Sequence, residues 1–274
     1  MRGSRRGTDG IWIAVLGLGE AGSIYAQDLA ARGLNVTATD PAVEAVPLGV
    51  VPAGSISEAV AGAGLVLSLV GGRAAEHVLQ EALPAMEPGA LFADLNTSGP
   101  DQKRRLAEQA ARRNVLFADV AVLAPVPRSR IDSPLLISGT GADALASLFG
   151  GWGIPVTTAG IEAGAAAGLK LLRSVFMKGL AAVVLESVTA AEAAGAKEWM
   201  IGQIAGELGP SGPGLVARML EGTGLHAVRR EAEMLDVRAF LESLGTPHPV
   251  TDAAIAWLQS LAHMDQGRIA DSPS

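Results

Sequence analysis

The sequence contains no cysteine, and this absence excludes disulfide bonds and thiolate zinc sites within the chain. It also fits a reducing compartment, so we expect a cytoplasmic location. Aromatic residues make up only 4% of the chain, so the core should consist mainly of alanine, valine and leucine. Apolar residues still reach 49%, which is enough for a substantial core.

Long apolar runs without charge are also missing. The most apolar stretch, 169–188, is interrupted by four charged residues, so no membrane span is expected. The net charge is −7 and no basic stripe runs along the chain, which argues against a nucleic-acid partner. The four histidines lack the spacing of metal ligands, and no metal site is predicted.

A glycine-rich turn follows the first apolar run and leads into a helical pattern. The turn consists of Gly17, Leu18, Gly19, Glu20, Ala21 and Gly22. In a dinucleotide site, Gly17 permits the tight turn, Gly19 admits the pyrophosphate and Gly22 lets the helix pack against the sheet. The free N–H groups at the helix start attract phosphate. The pattern predicts a dinucleotide site, and its alternative is an ordinary strand-to-helix turn.

An acidic residue, Asp40, ends the next apolar run. A carboxylate at this place hydrogen-bonds the ribose 2′-hydroxyl of NAD and repels the 2′-phosphate of NADP. Pro41, Ala42 and Val43 follow, so the arginine typical of NADP sites is missing. We therefore predict NAD as the cofactor, with NADP as the alternative. Asp40 could instead be a simple turn residue before proline.

Short apolar runs alternate with helical patterns through the first half of the chain. This alternation predicts an α/β fold, a doubly wound Rossmann domain with a mostly parallel sheet. The predicted strands are 11–16, 35–39, 65–70, 91–95, 115–119, 135–138 and 155–158. From 161 onward only helical patterns occur. We predict a disordered extension over 1–10, an NAD(P)-binding domain over 11–160 and an all-helical substrate and dimerisation domain over 161–274.

A lysine lies among small residues near the start of the long helix predicted over 162–194. Lys170 and Ser174 are four residues apart and share a helix face, so both could point at one substrate oxygen. A lysine that is partly buried beside other cations can exchange a proton near neutral pH. The alternative is a set of solvated charges on an amphipathic helix.

Three segments together resemble the β-hydroxyacid dehydrogenase family: the glycine turn, the segment 95–100 and the lysine helix. This family includes 3-hydroxyisobutyrate and 6-phosphogluconate dehydrogenases, with imine reductases as relatives. The stretch 169–179 resembles the branch of 6-phosphogluconate-dehydrogenase-like proteins with a DUF1932 C-terminal domain. The resemblance implies an NAD(P)-dependent dehydrogenase that acts on CH–OH groups and forms a homodimer through its helical domain.

The resemblance also implies roles for individual residues. Hydride passes between the nicotinamide and a carbinol carbon, while Lys170 takes or gives the hydroxyl proton. Ser174 stands where the family usually has asparagine. Val70 and Thr97 are expected at the cofactor, and Ser98 is expected at the substrate. Thr97 and Ser98 could instead cap the helix that follows them.

The segment after the sixth strand, where the resemblance implies substrate contact, departs from the family pattern. The family commonly has Ser-Gly-Gly after the sixth strand, and this small polar segment holds a substrate carboxylate. Here the same place is occupied by Leu123, Ala124 and Pro125. They cannot supply the same donors, so simple 3-hydroxyacid recognition is not expected.

Other cationic residues are candidates for substrate contact. Arg173 lies beside the lysine, and His226 belongs to a segment that also resembles the DUF1932 branch. A lone histidine near a helix start is more often structural. Arg128 and Arg130 could bind an anion or be solvated loop charges.

These observations predict an oxidoreductase acting on a small, acidic hydroxy or oxo substrate. Two alternatives stay open. One is a reductase of C=N bonds on the same scaffold, and the other is a dinucleotide-binding sensor without turnover.

Overall fold

The computed structural model describes residues 10–43 and 45–270, with side chains up to residue 263. The predicted extension, apart from Gly10, and residues 271–274 of the predicted helical domain lie outside these residues. The chain forms two compact units, one ending at Lys170 and the other beginning at Leu171. The division falls within a long helix, whereas the predicted boundary at residue 160 precedes it.

The first unit is built on a single sheet. Its strands are β1 Trp12–Leu16, β2 Asn35–Thr39, β3 Val51–Pro52, β4 Leu65–Ser68, β5 Leu91–Asp94, β6 Leu116–Val122, β7 Leu135–Ser138 and β8 Val156–Thr158. Their order across the sheet is β3-β2-β1-β4-β5-β6-β7-β8. Neighbouring strands are parallel except β6 and β7, which pair antiparallel. This is the doubly wound α/β fold expected from the sequence.

Helices cover both faces of the sheet. They are α1 Glu20–Ala31, α2 Ile56–Val60, α3 Ala75–Ala82, α4 Pro100–Ala111, α5 Val126–Ser129 and α6 Ala142–Gly151. Alternate strand residues face opposite sides, so Ile13 and Val15 pack in the cluster that contains α1 and α6. Ala14 and Leu16 pack in the other cluster, beneath α2, α3 and α4. Burial on both faces explains why these strands are continuously apolar.

Several element bounds differ by one to three residues from the sequence expectation, and three differences are larger. The two-residue strand β3 was not predicted, because a short edge strand containing proline carries little apolar signal. Strand β6 continues to Val122 rather than ending at Asp119, since β7 pairs with its extension. Helix α5 was also missed, and it begins directly after Pro125.

The second unit is helical in its described part. Its elements are the greater part of α7 Ala165–Ala193, then α8 Lys197–Glu207, α9 Gly212–Leu225, α10 Ala227–Ser243 and α11 Pro249–Ala270. One apolar cluster joins α7 to α10 and α11, and another joins α7 to α8 and α9. Among the described residues, no helix is both long enough and apolar enough to cross a membrane.

Candidate active site

The predicted site residues of the first unit gather at one edge of the sheet. Strands β1, β2, β4, β5 and β6 run parallel, so their carboxyl ends lie at the same edge. The strand order reverses between β1 and β4. In open α/β sheets, ligands bind in the crevice at such a switch point. The loops after β1 and β4 flank this position.

The glycine turn has the geometry of a phosphate cradle. Gly17 has a φ of +91°, and a Cβ added there would lie 2.7 Å from the carbonyl oxygen of Leu69. A Cβ on Gly22 would lie 1.9 Å from the carbonyl oxygen of Gly17. These contacts restrict both positions to glycine. A Cβ on Gly19, by contrast, would meet nothing within 4 Å, so the space in front of it is open for a ligand.

Helix α1 begins at Glu20, with Gly19 as its N-cap. The first turn therefore contains Glu20, Ala21 and Gly22. The first N–H groups of a helix have no partner within it, and Gly19 has no side chain to accept from them. These groups lie beside the open space at Gly19 and can donate to a pyrophosphate. The residues present thus fit a dinucleotide.

Asp40 lies next to this turn and is bonded to it. The Leu18 N–H donates to Asp40 Oδ2 at 2.7 Å, and the Ala42 N–H donates to Asp40 Oδ1 at 2.8 Å. The second bond is the turn role considered from the sequence. Each carboxylate oxygen can accept a further bond, so the same group can also bind a ribose diol. Val70 follows β4 on the other side of the turn, with its Cγ1 2.9 Å from the Cβ position of Gly17.

Lys170 meets Thr97 at the end of β5. The Lys170 ammonium donates to Thr97 Oγ1 at 3.2 Å, although 73 residues separate them. Ser98 Oγ is buried and has no hydrogen-bond partner among the described residues. Neither hydroxyl caps α4, because the N-cap is Gly99 without a side-chain bond. The alternative capping role is therefore wrong, and both hydroxyls belong to the loop between β5 and α4.

The segment Leu123–Pro125 lies at the end of β6 and offers few donors. The Leu123 N–H donates to the carbonyl of Pro134 at 2.9 Å, because the antiparallel pairing with β7 continues to this point. Pro125 has no N–H group, and Ala124 between them is half-buried. This segment presents apolar side chains at the site edge.

The two arginines that follow this segment differ in their surroundings. The Arg130 guanidinium Nε donates to both carboxylate oxygens of Asp28 at 3.1 Å, which attaches the loop to α1. The same contact raises the pKa of Arg130 through hydrogen bonding and charge. Arg128 is exposed. Arg130 therefore has a packing partner, and Arg128 is the better placed of the two for an anion.

The remaining predicted residues belong to the second unit. Ser174 is buried, and its Oγ accepts a bond from Lys178 at 3.3 Å. Lys178 also pairs with Glu233 at 3.0 Å. Arg173 is exposed on α7, and His226 is exposed at the junction of α9 and α10. The histidine ring is therefore not a core group.

The sequence interpretation missed a buried polar network next to this site. Lys103 on α4 is 1% exposed, and its ammonium lies 2.9 Å from Asp94 Oδ2 and 3.2 Å from Asp119 Oδ1. Burial alone would lower the pKa of Lys103, but the two carboxylates outweigh it and raise the pKa above its ordinary value. One signal was available, since the runs Leu91–Asp94 and 116–119 each end in aspartate.

No group of three or more histidine, cysteine or acidic residues in the described ranges is arranged to hold a metal ion.

Two family models match the chain. Residues 12–144 match the NAD-binding domain of 6-phosphogluconate dehydrogenase. Residues 191–261 match a domain of unknown function, DUF1932. These are the two families named by the resemblance, and the first confirms the predicted NAD(P) cofactor.

Two solved structures and one further protein are similar to this chain. A conserved hypothetical protein from Sinorhizobium meliloti 1021 is 32% identical, with a TM-score of 0.76 over 92% of this chain and 88% of its own. The 3-hydroxyisobutyrate dehydrogenase of Mycobacterium tuberculosis, solved with L-serine, is 20% identical, with a TM-score of 0.78 over 93% of this chain and 94% of its own. An uncharacterized 28.5 kDa protein of Methanothermus fervidus is 26% identical over 153 residues, which are 56% of this chain and 59% of that protein.

Proposed function

This chain belongs to the 6-phosphogluconate-dehydrogenase-like family of NAD(P)-dependent dehydrogenases with a DUF1932 C-terminal domain, and on that premise we propose that it transfers hydride to or from a small hydroxy or oxo substrate. The observation that carries the proposal is the contact between Lys170 and Thr97. It places an ammonium at the sheet edge that also presents the glycine turn.

The cofactor would be held by the turn Gly17–Gly22, with Asp40 accepting from the ribose and Val70 and Thr97 beside the nicotinamide half. When bound, the nicotinamide supplies the carbon that exchanges hydride. The open space at Gly19 and the helix N–H groups behind it support this assignment.

Lys170 would give a proton to the substrate oxygen in reduction and take it in oxidation. The Thr97 hydroxyl holds the ammonium in place by accepting one of its hydrogens. Ser174, four residues along the same helix, would bind the substrate through its hydroxyl. Its bond from Lys178 leaves the Ser174 O–H hydrogen available to donate.

The substrate proposed is a small acidic hydroxy or oxo compound. Its charge would be met by Arg173 on α7, with Ser98 and His226 as further contacts. The buried Ser98 hydroxyl without a described partner supports a polar ligand nearby. The donor-poor segment Leu123–Pro125 would instead contact an apolar part of the substrate, so the carboxylate is not expected there.

A second candidate is reduction of a C=N bond. The apolar segment Leu123–Pro125 favours it, because an uncharged imine needs no carboxylate site there. The two candidates are separated by following NADH oxidation with a panel of 2-oxo acids, 3-oxo acids, aldehydes and cyclic imines. Turnover confined to imines would favour the second. Tight cofactor binding without turnover on any member would favour a sensor.

Cofactor choice gives a specific prediction for Asp40. The change Asp40→Ala should weaken NAD binding about tenfold and leave NADP binding equal or tighter, because it removes an acceptor for the 2′-hydroxyl and a charge that repels the 2′-phosphate. Titration of both cofactors by fluorescence measures this, with Asp143→Ala on α6 as the control. Equal losses for both cofactors would show that Asp40 only supports the turn through Leu18.

We also propose a homodimer through the helical domain. Leu172, Phe176 and Val183 are exposed at helical spacing on α7, and Phe176 is 66% exposed. An exposed apolar stripe of this kind is typical of an interaction surface. Wild-type protein should therefore scatter light as twice the chain mass of 27.8 kDa, and Phe176→Glu as the single mass. The control Leu244→Glu should remain dimeric. A monomeric wild type would contradict the proposal.

A further inference from the structure

A row of buried polar residues crosses the sheet just below the active-site edge. Ser68, Asp94, Asp119 and Ser138 lie in register on the neighbouring strands β4, β5, β6 and β7. All four are fully buried, at 0% exposure. Each follows a run of apolar residues on its strand. Burial of four polar side chains in register requires a compensating network of bonds.

Lys103 is the centre of that network. It lies on α4, and its ammonium contacts Asp94 at 2.9 Å and Asp119 at 3.2 Å. The same ammonium donates to the backbone carbonyl of Asp94 at 2.9 Å. One cation therefore joins the two carboxylates of adjacent strands.

The Asp94 side of the network holds the turn that ends in Thr97. Asp94 Oδ1 accepts from the backbone N–H of Asn96 at 3.3 Å and also from its side-chain amide. Asn96 further donates to Ser68 Oγ at 2.9 Å and accepts from the Gly71 N–H at 2.7 Å. The residue immediately before Thr97 is thus fixed by bonds to two strands and one loop.

The Asp119 side holds the start of the helix that carries Lys170. Asp119 Oδ2 accepts from the Ala167 N–H at 3.0 Å and from Ser138 Oγ at 3.3 Å. Ser138 Oγ in turn accepts from the Ala166 N–H at 3.0 Å. Ala167 lies one helical turn before Lys170. These bonds therefore fix the direction of the first turn of α7, on which Lys170 lies.

The backbone before α7 also lies against the start of α4. A Cβ added to Gly164, just before α7, would lie 2.7 Å from the carbonyl oxygen of Pro100 at the start of α4. The network has two carboxylates and one ammonium, a formal charge of −1. The N–H groups at the start of α7 face this remaining charge, as the helix dipole favours.

We propose that Lys103 is a positioning residue for Lys170. By joining Asp94 to Asp119, it couples the Thr97 turn to the first turn of α7 and so sets the separation between Thr97 Oγ1 and Lys170 Nζ. The catalytic consequence rests on the proposed role of Lys170. The positional consequence does not, and it is measured separately.

The positional test uses the fact that the chain has only four lysines, at 103, 170, 178 and 197. Competitive acetylation across pH, followed by mass spectrometry, gives the labelling profile of each, with exposed Lys197 as the internal reference. Hydrogen exchange of the Ala166 and Ala167 amides reports the start of α7. Steady-state kinetics add kcat and KM for the cofactor.

Two variants change the network without changing its formal charge. Ser138→Ala removes the hydroxyl that bonds Asp119 and the Ala166 N–H. Lys103→Met/Asp94→Asn removes the cation together with one anion, so the formal charge stays −1. Both should alter the Lys170 labelling profile and speed exchange at Ala166 and Ala167 about tenfold. In both, kcat should fall about tenfold while the cofactor KM changes less than about twofold.

Ser133→Ala is the matched control. Ser133 is equally buried and precedes β7, whereas Ser138 ends this strand. The Ser133 hydroxyl donates to the carbonyl of Arg130 at 2.9 Å and has no part in the network. None of the three measurements should change in this variant. The proposal is overturned if the double variant folds and retains the wild-type Lys170 profile, or if Ser138→Ala behaves as Ser133→Ala does.

The outcomes separate this proposal from the proposed function. If Lys170→Ala leaves turnover unchanged, the proton-transfer role fails, yet the labelling and exchange data still decide whether Lys103 positions Lys170. If kcat falls in the network variants while Lys170 labelling stays at the wild-type profile, positioning fails and the proposed function stands.

Discussion

Replacing Lys170 with alanine should lower kcat by about 10²- to 10⁴-fold, the usual contribution of a general acid or base. The affinity for NAD(H) should change less than about twofold, because in the proposed site the glycine turn and Asp40, rather than the lysine, hold the cofactor. Stopped-flow oxidation of NADH with the best substrate of the panel, together with cofactor titration, measures both quantities.

Two further variants sharpen this test. Lys170→Arg keeps the positive charge, but guanidinium does not release its proton near neutral pH. It should therefore be about as slow as the alanine variant if Lys170 transfers a proton, and nearly as fast as wild type if only charge matters. Lys197→Ala, on α8, should retain wild-type kinetics. An unchanged rate in Lys170→Ala would rule out the assigned role.

The second large effect concerns stability. Lys103→Met should lower the free energy of unfolding by about 3–5 kcal/mol, because it leaves Asp94 and Asp119 in the core without their counter-ion. The same substitution at Lys197, whose partner Glu192 is exposed, should have a much smaller effect, since surface ion pairs contribute little. Urea denaturation of the three proteins at pH 7 makes the comparison. Similar losses in both variants would contradict the buried network.

The stabilisation by Lys103 has a defined pH dependence. Its pKa is raised in the folded state, since the attraction of Asp94 and Asp119 exceeds the lowering by burial. A raised lysine pKa stabilises the fold fully below the unfolded value of about 10.4 and loses that contribution as pH rises through the folded value. The difference between wild type and Lys103→Met should thus be constant from pH 6 to 9 and decline above about pH 10.5. A difference that disappears near neutral pH would disagree with this assignment.

The strand, glycine turn and helix of the candidate dinucleotide site could be predicted from the sequence because their signals are local. The run before Gly17, the positive φ of that glycine and the helix after it all occur within a few residues. The doubly wound sheet could likewise be predicted from the alternation of strands and helices. Its strands are continuously apolar because helices cover both faces of the sheet.

Long-range pairing explains what the sequence did not reveal. Strand β6 extends past Asp119 because β7 returns antiparallel beside it, and that pairing consumes the Leu123 N–H. Arg130 was a candidate anion ligand until its contact with Asp28, 102 residues earlier, assigned it to loop packing. Such partners have no signature near the residue itself.

The burial of Lys103 could not be predicted from its neighbours in the sequence either. It is flanked by Gln102, Arg104 and Arg105, so the local pattern indicates a solvated helix face. Its burial is decided by the two aspartates at the strand ends, whose need for a cation becomes visible only once β5 and β6 are adjacent. The contact between Lys170 and Thr97 likewise depends on where α7 leaves the sheet.

The central claim, hydride transfer at this sheet edge, is tested most directly by isotope transfer. Wild-type protein is incubated with NADH that carries deuterium at the nicotinamide C4 and with each member of the carbonyl and imine panel. We predict deuterium on the former carbonyl carbon of at least one acidic oxo compound, with labelling about 10²- to 10⁴-fold slower in Lys170→Ala. Saturable NADH binding with no deuterium in any product would contradict it.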